Sequence, residues 1–313
     1  MEDIYIVALD STPTQVNISV PSGQQRSPVT IPFLPDDVLG YIVSFISYVH
    51  EVDMHMRVTV DFSHLENAAL VSKGLRRLVK RKKSQIAEDY ERRKRLFKKV
   101  DEWCEDKAAA QAKYGHISDW DITGVTDLRA LFSPHRNGGA SSFNEDISRW
   151  DVSNVTDMHS IFSGAESFNC DLSSWNVGEV NDMSNMFDGA ESFDCDVSLW
   201  DVRRAKNLNS MFQRASSFNC NLSEWNVENA ENMNSMFDGA SSFNGDLSGW
   251  KIKKVKRMYR MFAKATEFSG DLSGWDVSNV LDMGRMFWGA TSFNRDVIQG
   301  WDTSGVTWGY NLP

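Results

Sequence analysis

The chain has 313 residues, 41% of them hydrophobic and 24% charged, with 33 Lys and Arg against 43 Asp and Glu and a formal net charge of −10. That length accommodates two domains without covalent staples, and four cysteines (Cys104, Cys170, Cys195, Cys220) are too few for a disulfide framework. No run approaches the roughly 18 apolar residues of a membrane span or resembles a secretory signal, so a cytoplasmic or nuclear protein with no membrane partner is expected.

In chain order, Ile4, Ile6 and Ala8, then Val16, Ile18 and Val20, then Met56, Val58, Val60 and Phe62 alternate as strands do. Between the second and third, Pro35 and Asp36 suit a helix start, and Val38, Leu39, Ile42, Phe45 and Ile46 form its apolar stripe. A second helix is expected over residues 65–79. The two helices resemble the F-box, the module that docks substrate receptors onto cullin-type ubiquitin ligases. The resembling residues are Leu34-Pro35-Asp36-Asp37 with Val38, Ile42 and Ile46, then Leu70-Val71-Ser72-Lys73 with Arg77-Leu78-Val79. The resemblance implies that Leu34, Pro35, Ile42, Leu70, Val71 and Leu78 touch a ligase adaptor. The other reading is a small α+β cap with these side chains in its core.

Residues 84–114 read as one long helix ended by Gly115, with Ile86, Tyr90, Phe97, Val100 and Cys104 on one face and Trp103 beside it. Such a helix can cover the open hydrophobic end of a repeat array. The basic stretch from Arg76 to Lys99 is either its solvated face or a nuclear localisation signal.

The rest of the chain is periodic. Tryptophans fall at 150, 175, 200, 225, 250 and 275, preceded by Trp120 and followed by Trp301. Gly300 absorbs the one-residue slip, and the polar loop Ser133-Pro134-His135-Arg136-Asn137-Gly138 absorbs the longer first interval. Two phenylalanine columns keep the same register, one through Phe132, Phe162 and Phe187 to Phe287, the other through Phe143, Phe168 and Phe193 to Phe293. The unit reads W-D-V-S-N-V-T-D-M-x-x-M-F-x-G-A-x-S-F-N-x-D-L-S-x. Val155, Met158, Phe162 and Ala165 have the spacing of one helical face, whereas residues 168–175 alternate as a short strand would. A short helix and a short strand per 25 residues predict an α+β, leucine-rich-repeat-like solenoid in which each Trp stacks on the next.

The polar columns predict ladders. Asn144, Asn169, Asn219, Asn244 and Asn294 can bond the backbone of neighbouring coils. Asp146, Asp171, Asp196, Asp246, Asp271 and Asp296 must be held by backbone N–H groups or by cations. Cys170, Cys195 and Cys220 share one column, as reduced thiols or as partners that oxidise or take a soft metal. No cofactor is expected.

With its tryptophans in register, the unit resembles the 25-residue repeats of the BspA-like leucine-rich-repeat surface protein family, over about residues 86–313, including the lead-in from Ala108 to Trp120. That resemblance implies a solenoid used for adhesion or protein recognition.

Columns that hold one residue type are structural, and columns that vary are free to meet a ligand. Residues 116–313 carry 16 Lys and Arg against 27 Asp and Glu, which makes nucleic acid a poor partner. One coil breaks the pattern with Lys251, Lys253, Lys254, Lys256, Arg257 and Arg260, and two coils earlier stand Arg203, Arg204 and Lys206. Tyr259 and Trp288 are large aromatics in columns of small or polar residues. The patch Arg203, Arg204, Lys206, Lys253, Lys254, Lys256, Arg257, Tyr259, Arg260 and Trp288 is expected to bind an acidic protein segment or an anionic glycan. No metal-ligand spacing, phosphate loop or nucleophile motif accompanies it, so binding without catalysis is expected. The organisation expected is a head over 1–83, a capping helix over 84–115 and a solenoid over 116–313. It serves a ligase substrate receptor, or a scaffold or adhesion-type protein whose head only caps the array.

Overall fold

The structure, a computed structural model, describes residues 3–8, 15–19, 29–30, 57–61 and 68–307. The chain divides into two compact units, Met1–Glu88 and Asp89–Pro313. The first contains a four-stranded sheet in the order β3-β2-β1-β4, with β1 Asp3–Ala8, β2 Gln15–Ser19, β3 Val29–Thr30 and β4 Arg57–Asp61. Strand β1 runs antiparallel to β2, with Ile6 opposite Ile18, and parallel to β4, with Ile6 opposite Val60. The three strands read from alternation are present. The two-residue β3 gave no signal, since Pro28 and Pro32 bracket it and cannot donate to a ladder.

The two helices expected over 65–79 and 84–114 are instead one continuous helix, α1 (Ala68–Glu105), followed by α2 (Lys107–Tyr114). The break lies at Asp106, where an extended residue (φ −147°) caps α2 by accepting from the Ala109 N–H at 3.0 Å. Gly115, at φ 77°, ends α2 as expected. Within the second unit, Leu96, Val100 and Trp103 of α1 are buried in the same core as the repeats, whereas Tyr90 is 41% exposed.

From Trp120 onward, successive coils lie on one another, 25 residues apart after the longer first one. Isolated parallel bridges join Asp127, Asp157, Asp182, Asn207, Asn232, Arg257 and Asp282 in sequence. The core is a double file of phenylalanine rings. Within a coil the two rings stack, as in Phe212 and Phe218 at 3.9 Å; between coils, Phe162, Phe187, Phe212 and Phe237 follow at 5.6–5.7 Å with planes within 8° of parallel. Trp225, Trp250, Trp275 and Trp301 form a parallel file at 6.3–6.4 Å. Each indole N–H also donates to a carbonyl of the preceding coil, as Trp225 does to Val197 at 2.9 Å.

The short helix and strand expected in each unit are replaced by tight turns. Between Met158 and Ala165 the bonds Ile161→Met158, Ser163→Ser160 and Ala165→Phe162 close three-residue steps, and these place apolar residues at the spacing that reads as a helical face. The chain cannot continue as a helix because Ser160 and Gly164 lie in the left-handed region, at φ 56° and 81°. Their counterparts do the same in the later coils, including Asn185, Ser210, Arg214, Ser235, Arg260 and Lys264, and in the first coil Ala130 alone does so. Alternation of hand aims the N–H groups of Met158, Ser160, Phe162 and Gly164 at the next coil, where they donate to the carbonyls of Asp182, Ser184, Met186 and Asp188 at 2.6–3.0 Å.

Both polar ladders form. The asparagine side chains cross between coils, with the Asn169 Oδ1 accepting from the Asp194 N–H and the Asn219 Oδ1 from the Asn244 N–H. The aspartates bond within their own coil, Asp171 accepting from Ser173 and Asp246 from Ser248, and these bonds hold both carboxyls below their ordinary range.

Candidate functional site

The cationic residues lie on a lateral face of the second unit. Arg203, Arg204, Lys206, Lys253, Lys254, Lys256 and Arg257 are exposed, projecting from the turns that follow the Trp column. They are not equivalent electrostatically. Arg203 binds Asp201 through Nε and Nη2, Arg204 pairs with Glu179 of the coil before, and Lys251 lies 3.3 Å from Glu228. By contrast Lys253, Lys254, Lys256 and Arg257 form no ion pair among the described residues. Lys254 donates to the Asn229 Oδ1 at 2.6 Å and Lys256 to the Asn279 carbonyl at 3.4 Å. The two groups of cations are thus separated by the coil that carries Glu228 and Glu231, and the earlier group is largely neutralised at home.

Arg257 has a second effect. Its column elsewhere holds Asp or Asn, whose side-chain oxygen accepts from the N–H two residues on, as Asn232 does from Asn234. Arginine has no acceptor, and the Tyr259 N–H turns to the Asn234 Oδ1 of the previous coil at 2.9 Å. The Tyr259 ring is half-buried over Gly284, where an added Cβ would sit 3.1 Å from its Cδ2. Tyr259 therefore covers the neighbouring coil and does not project as the free anchor its column suggests.

Trp288 does project, at 53% exposure. The Arg260 guanidinium carbon lies 5.4 Å from the centre of its ring and the Lys264 ammonium 5.2 Å. Arg260 is fixed by two bonds to the buried Asp238, at 2.8 and 3.1 Å, and that pairing raises its pKa above the ordinary arginine value. The structure therefore joins Arg260 and Trp288 but adds Lys264 and Asp238, which sequence reasoning passed over. A signal existed for Lys264. Its column holds glycine at 164, 189, 239 and 289, and Lys264 and Arg214 are the non-glycine residues that accept φ 55° and 59° there, a strain of about 1 kcal/mol or more. Both use the position to place a cation, Lys264 over Trp288 and Arg214 against Asp188 at 2.8 Å.

The six F-box-type positions contribute no geometry. Leu34, Pro35 and Ile42 lie outside the described residues, and Leu70, Val71 and Leu78 belong to the part of α1 whose side chains lie outside them.

The cysteine column is half-buried and reduced. Burial pushes the thiols of Cys170 and Cys220 up to about 11 and raises that of Cys195. Among the described residues no group of three or more His, Cys, Asp or Glu could hold a metal ion. Two consequences follow from the raised thiols. Reaction with a thiol-specific disulfide reagent at pH 8 should be at least about tenfold slower in the folded chain than in urea. The unfolded thiols ionise from about pH 9 while the folded ones hold their protons to about 11, so the unfolded state sheds protons first and stability should fall as pH rises through that window. Denaturant titrations at pH 8 and 10.5, with a Cys-to-Ser triple variant as control, check the sign.

The loop at 133–138, which interrupts the first coil, ties it to α1. Arg136 pairs with Asp101 and donates to the carbonyls of Ala130 and Leu131, while Asn137 Nδ2 bonds the Asp101 Oδ1 at 3.0 Å. From α1, Arg93 donates to the Arg129 carbonyl and lies 3.3 Å from Asp127. Burial, the leading influence, lowers the Arg93 pKa. Lys99 sits over the rings of Tyr114 and Trp120, and Trp103 meets Trp120 edge-on at 5.6 Å.

No helix among the described residues is long and apolar enough to cross a membrane. No curated protein and no solved structure matches the chain. A family model described as Mycoplasma protein of unknown function, DUF285, matches twice, over residues 98–225 and 206–311, with a boundary that falls inside the periodic region and an upstream limit inside α1. The two matched stretches hold the stacked coils, the end of their helical cover and the lateral cations together, and by them the chain belongs to the family described as Mycoplasma protein of unknown function, DUF285.

Proposed function

We propose that residues 116–313 form a solenoid of the leucine-rich-repeat kind that recognises another protein without catalysis, and that its lateral face captures an acidic protein segment. The observation that supports this most directly is electrostatic. The coil of residues 250–274 has seven Lys and Arg against two Asp and Glu, in a region that is otherwise acidic. Its exposed run Lys253, Lys254, Lys256 and Arg257 forms no ion pair among the described residues, the nearest influence being that of Lys253 on Asp276. Exposed cations held by no carboxylate are cheap to engage, because no existing ion pair must be broken. Trp288 and Leu281, exposed by 53% and 46% on the neighbouring coil, add apolar surface that suits a peptide better than a fully hydrated glycan.

The surface-protein role and the ligase-receptor role both rest on sequence resemblance alone. The common content of the two, a repeat array that binds protein, is what the family and the stacked aromatic columns favour.

The reading is tested by titrating an acidic 15-residue peptide and a sulfated oligosaccharide against the chain and the variant K253E/K254E/K256E/R257E. The peptide should bind the parent and lose at least about tenfold in affinity on the variant, a difference of about 1.4 kcal/mol. Its affinity for the parent should also fall as salt rises from 50 to 300 mM. Equal peptide binding by both proteins, or binding of the oligosaccharide alone, would reject the assignment.

A further inference from the structure

The bridges that join the coils line up one side chain per coil. In chain order these are Asp127, Asp157, Asp182, Asn207, Asn232, Arg257 and Asp282, and none of them is buried. Three consecutive coils thus interrupt a row of carboxylates. The interruption falls beside the free cations of the lateral face, and Arg257 belongs to both.

The column requires an oxygen for its turn. Asp182 and Asp282 accept from the N–H two residues on, at 2.8 and 2.9 Å, and Asn207 and Asn232 do the same at 3.2 and 3.1 Å. A carboxylate therefore serves the turn as well as a carboxamide, and what asparagine adds is a neutral NH2 group. Arg257 supplies no oxygen, so the Tyr259 N–H takes the Asn234 Oδ1 of the coil before. Asn232 and Asn234 each turn their oxygen to a backbone N–H, which fixes the sense of the amide and aims its NH2 group away from that bond. Neither Nδ2 has an acceptor among the described residues, whereas that of Asn207 is taken by Asp182 at 3.2 Å. Both asparagines are half-buried, and the exposed Arg257 is the bridged neighbour of Asn232, about 5 Å away at the strand spacing.

We propose that Asn232, Asn234 and Arg257 form the seat for one carboxylate of the acidic segment, the two NH2 groups and the guanidinium supplying donors to its oxygens. A carboxylate is an acceptor only, with room for several donors, and it suits a set whose own oxygens already face backbone N–H groups. Asp282 on the next coil and Asp182 two coils before Asn232 bound the seat with like charge. The lateral lysines draw the segment in, and this seat fixes its register. The inference rests on the lateral reading and names the residues that hold one group of that ligand.

NMR on the full chain carrying isotope-labelled asparagine tests this, with the acidic 15-residue peptide and a counterpart in which every Asp and Glu is replaced by its amide. The acidic peptide should shift the side-chain NH2 resonances of Asn232 and Asn234 and leave that of Asn207 nearly in place, and the amide counterpart should shift none of them. N232D keeps the turn oxygen as Asp182 and Asp282 do, and it should lose at least about tenfold in affinity for the acidic peptide. N207D adds the same charge one coil back but gives up no free donor, and it should lose at most about threefold. Failure of the acidic peptide to bind the parent would overturn the lateral reading and this seat with it. Binding that K253E/K254E/K256E/R257E abolishes, but that leaves the two NH2 groups unmoved or falls equally in N232D and N207D, would overturn the seat alone. So would equal shifts from the amide counterpart.

Discussion

Phe212→Ala should lower the stability of the chain by about 3–5 kcal/mol, as burial of a full aromatic ring in a close-packed site requires. Phe212 is fully buried and has ring neighbours on every side: Phe218 at 3.9 Å in its own coil, Phe187 at 5.6 Å and Phe237 at 5.7 Å in adjacent coils, and Trp225 at 6.2 Å. The cavity left by alanine cannot collapse, because the backbones around it are fixed by inter-coil bonds, Phe187→Met211 at 2.8 Å and Phe212→Met236 at 2.9 Å. In a stacked array each coil meets only its neighbours, so the loss should fall on two interfaces and split the unfolding transition, leaving the coils before and after as separate units. Phe287→Ala, in the last described complete coil, removes a ring with fewer stacked partners and should cost less. Trp288→Ala, on an exposed ring, should change stability by no more than about 1 kcal/mol. Guanidinium titrations followed by tryptophan fluorescence distinguish these three.

Arg136→Ala should cost about 2–4 kcal/mol, because it removes a half-buried ion pair and leaves the Leu131 carbonyl without its donor, while the Ala130 carbonyl keeps only the Ser133 N–H. Its side chain is 23% exposed and engages Asp101 together with the Ala130 and Leu131 carbonyls, and its guanidinium lies 4.6 Å from the Phe97 ring centre. Asp101→Ala should cost less, since Asn137 and Arg136 lose one shared acceptor but the Ala130 and Leu131 carbonyls keep the arginine as donor. The double variant should be more stable than the sum of the two losses predicts, by roughly 1 kcal/mol of coupling. Arg136→Lys should recover little, because a single ammonium cannot serve a carboxylate and two carbonyls in one plane. Loss should appear first as faster amide exchange in Leu128, Ala130 and Phe132, which donate to the coil of residues 150–174.

Much of the array is legible in the primary structure because its core residues are unmistakable. The Phe and Trp columns are where the rings stack, and the asparagine and aspartate columns bond the backbone as their side chains permit. The local backbone is less legible. Val155, Met158, Phe162 and Ala165 keep a three-and-four spacing whether the chain is a helix or a series of three-residue turns, and only the left-handed Ser160 and Gly164 distinguish them. Serine at that position looks ordinary in a sequence, although asparagine and glycine in the same columns hint at the conformation. The lateral face was located by its charges, but the identity of its free cations depends on ion pairs between residues 25 apart, such as Arg204 with Glu179, and on the Asp238 carboxylate that aims Arg260. The role of the loop at 133–138 was hidden for a related reason: an insertion looks like a surface excursion until the helix it grips is beside it.

Small-angle X-ray scattering on the chain and on a variant with residues 200–274 duplicated in register measures directly whether the coils stack. Three more coils at a strand-like spacing of about 5 Å should lengthen the particle by about 15 Å while its stability to denaturant holds or rises. An increase of only a few ångströms, as a globule gaining 75 residues would show, would contradict the stacking of one coil on the next.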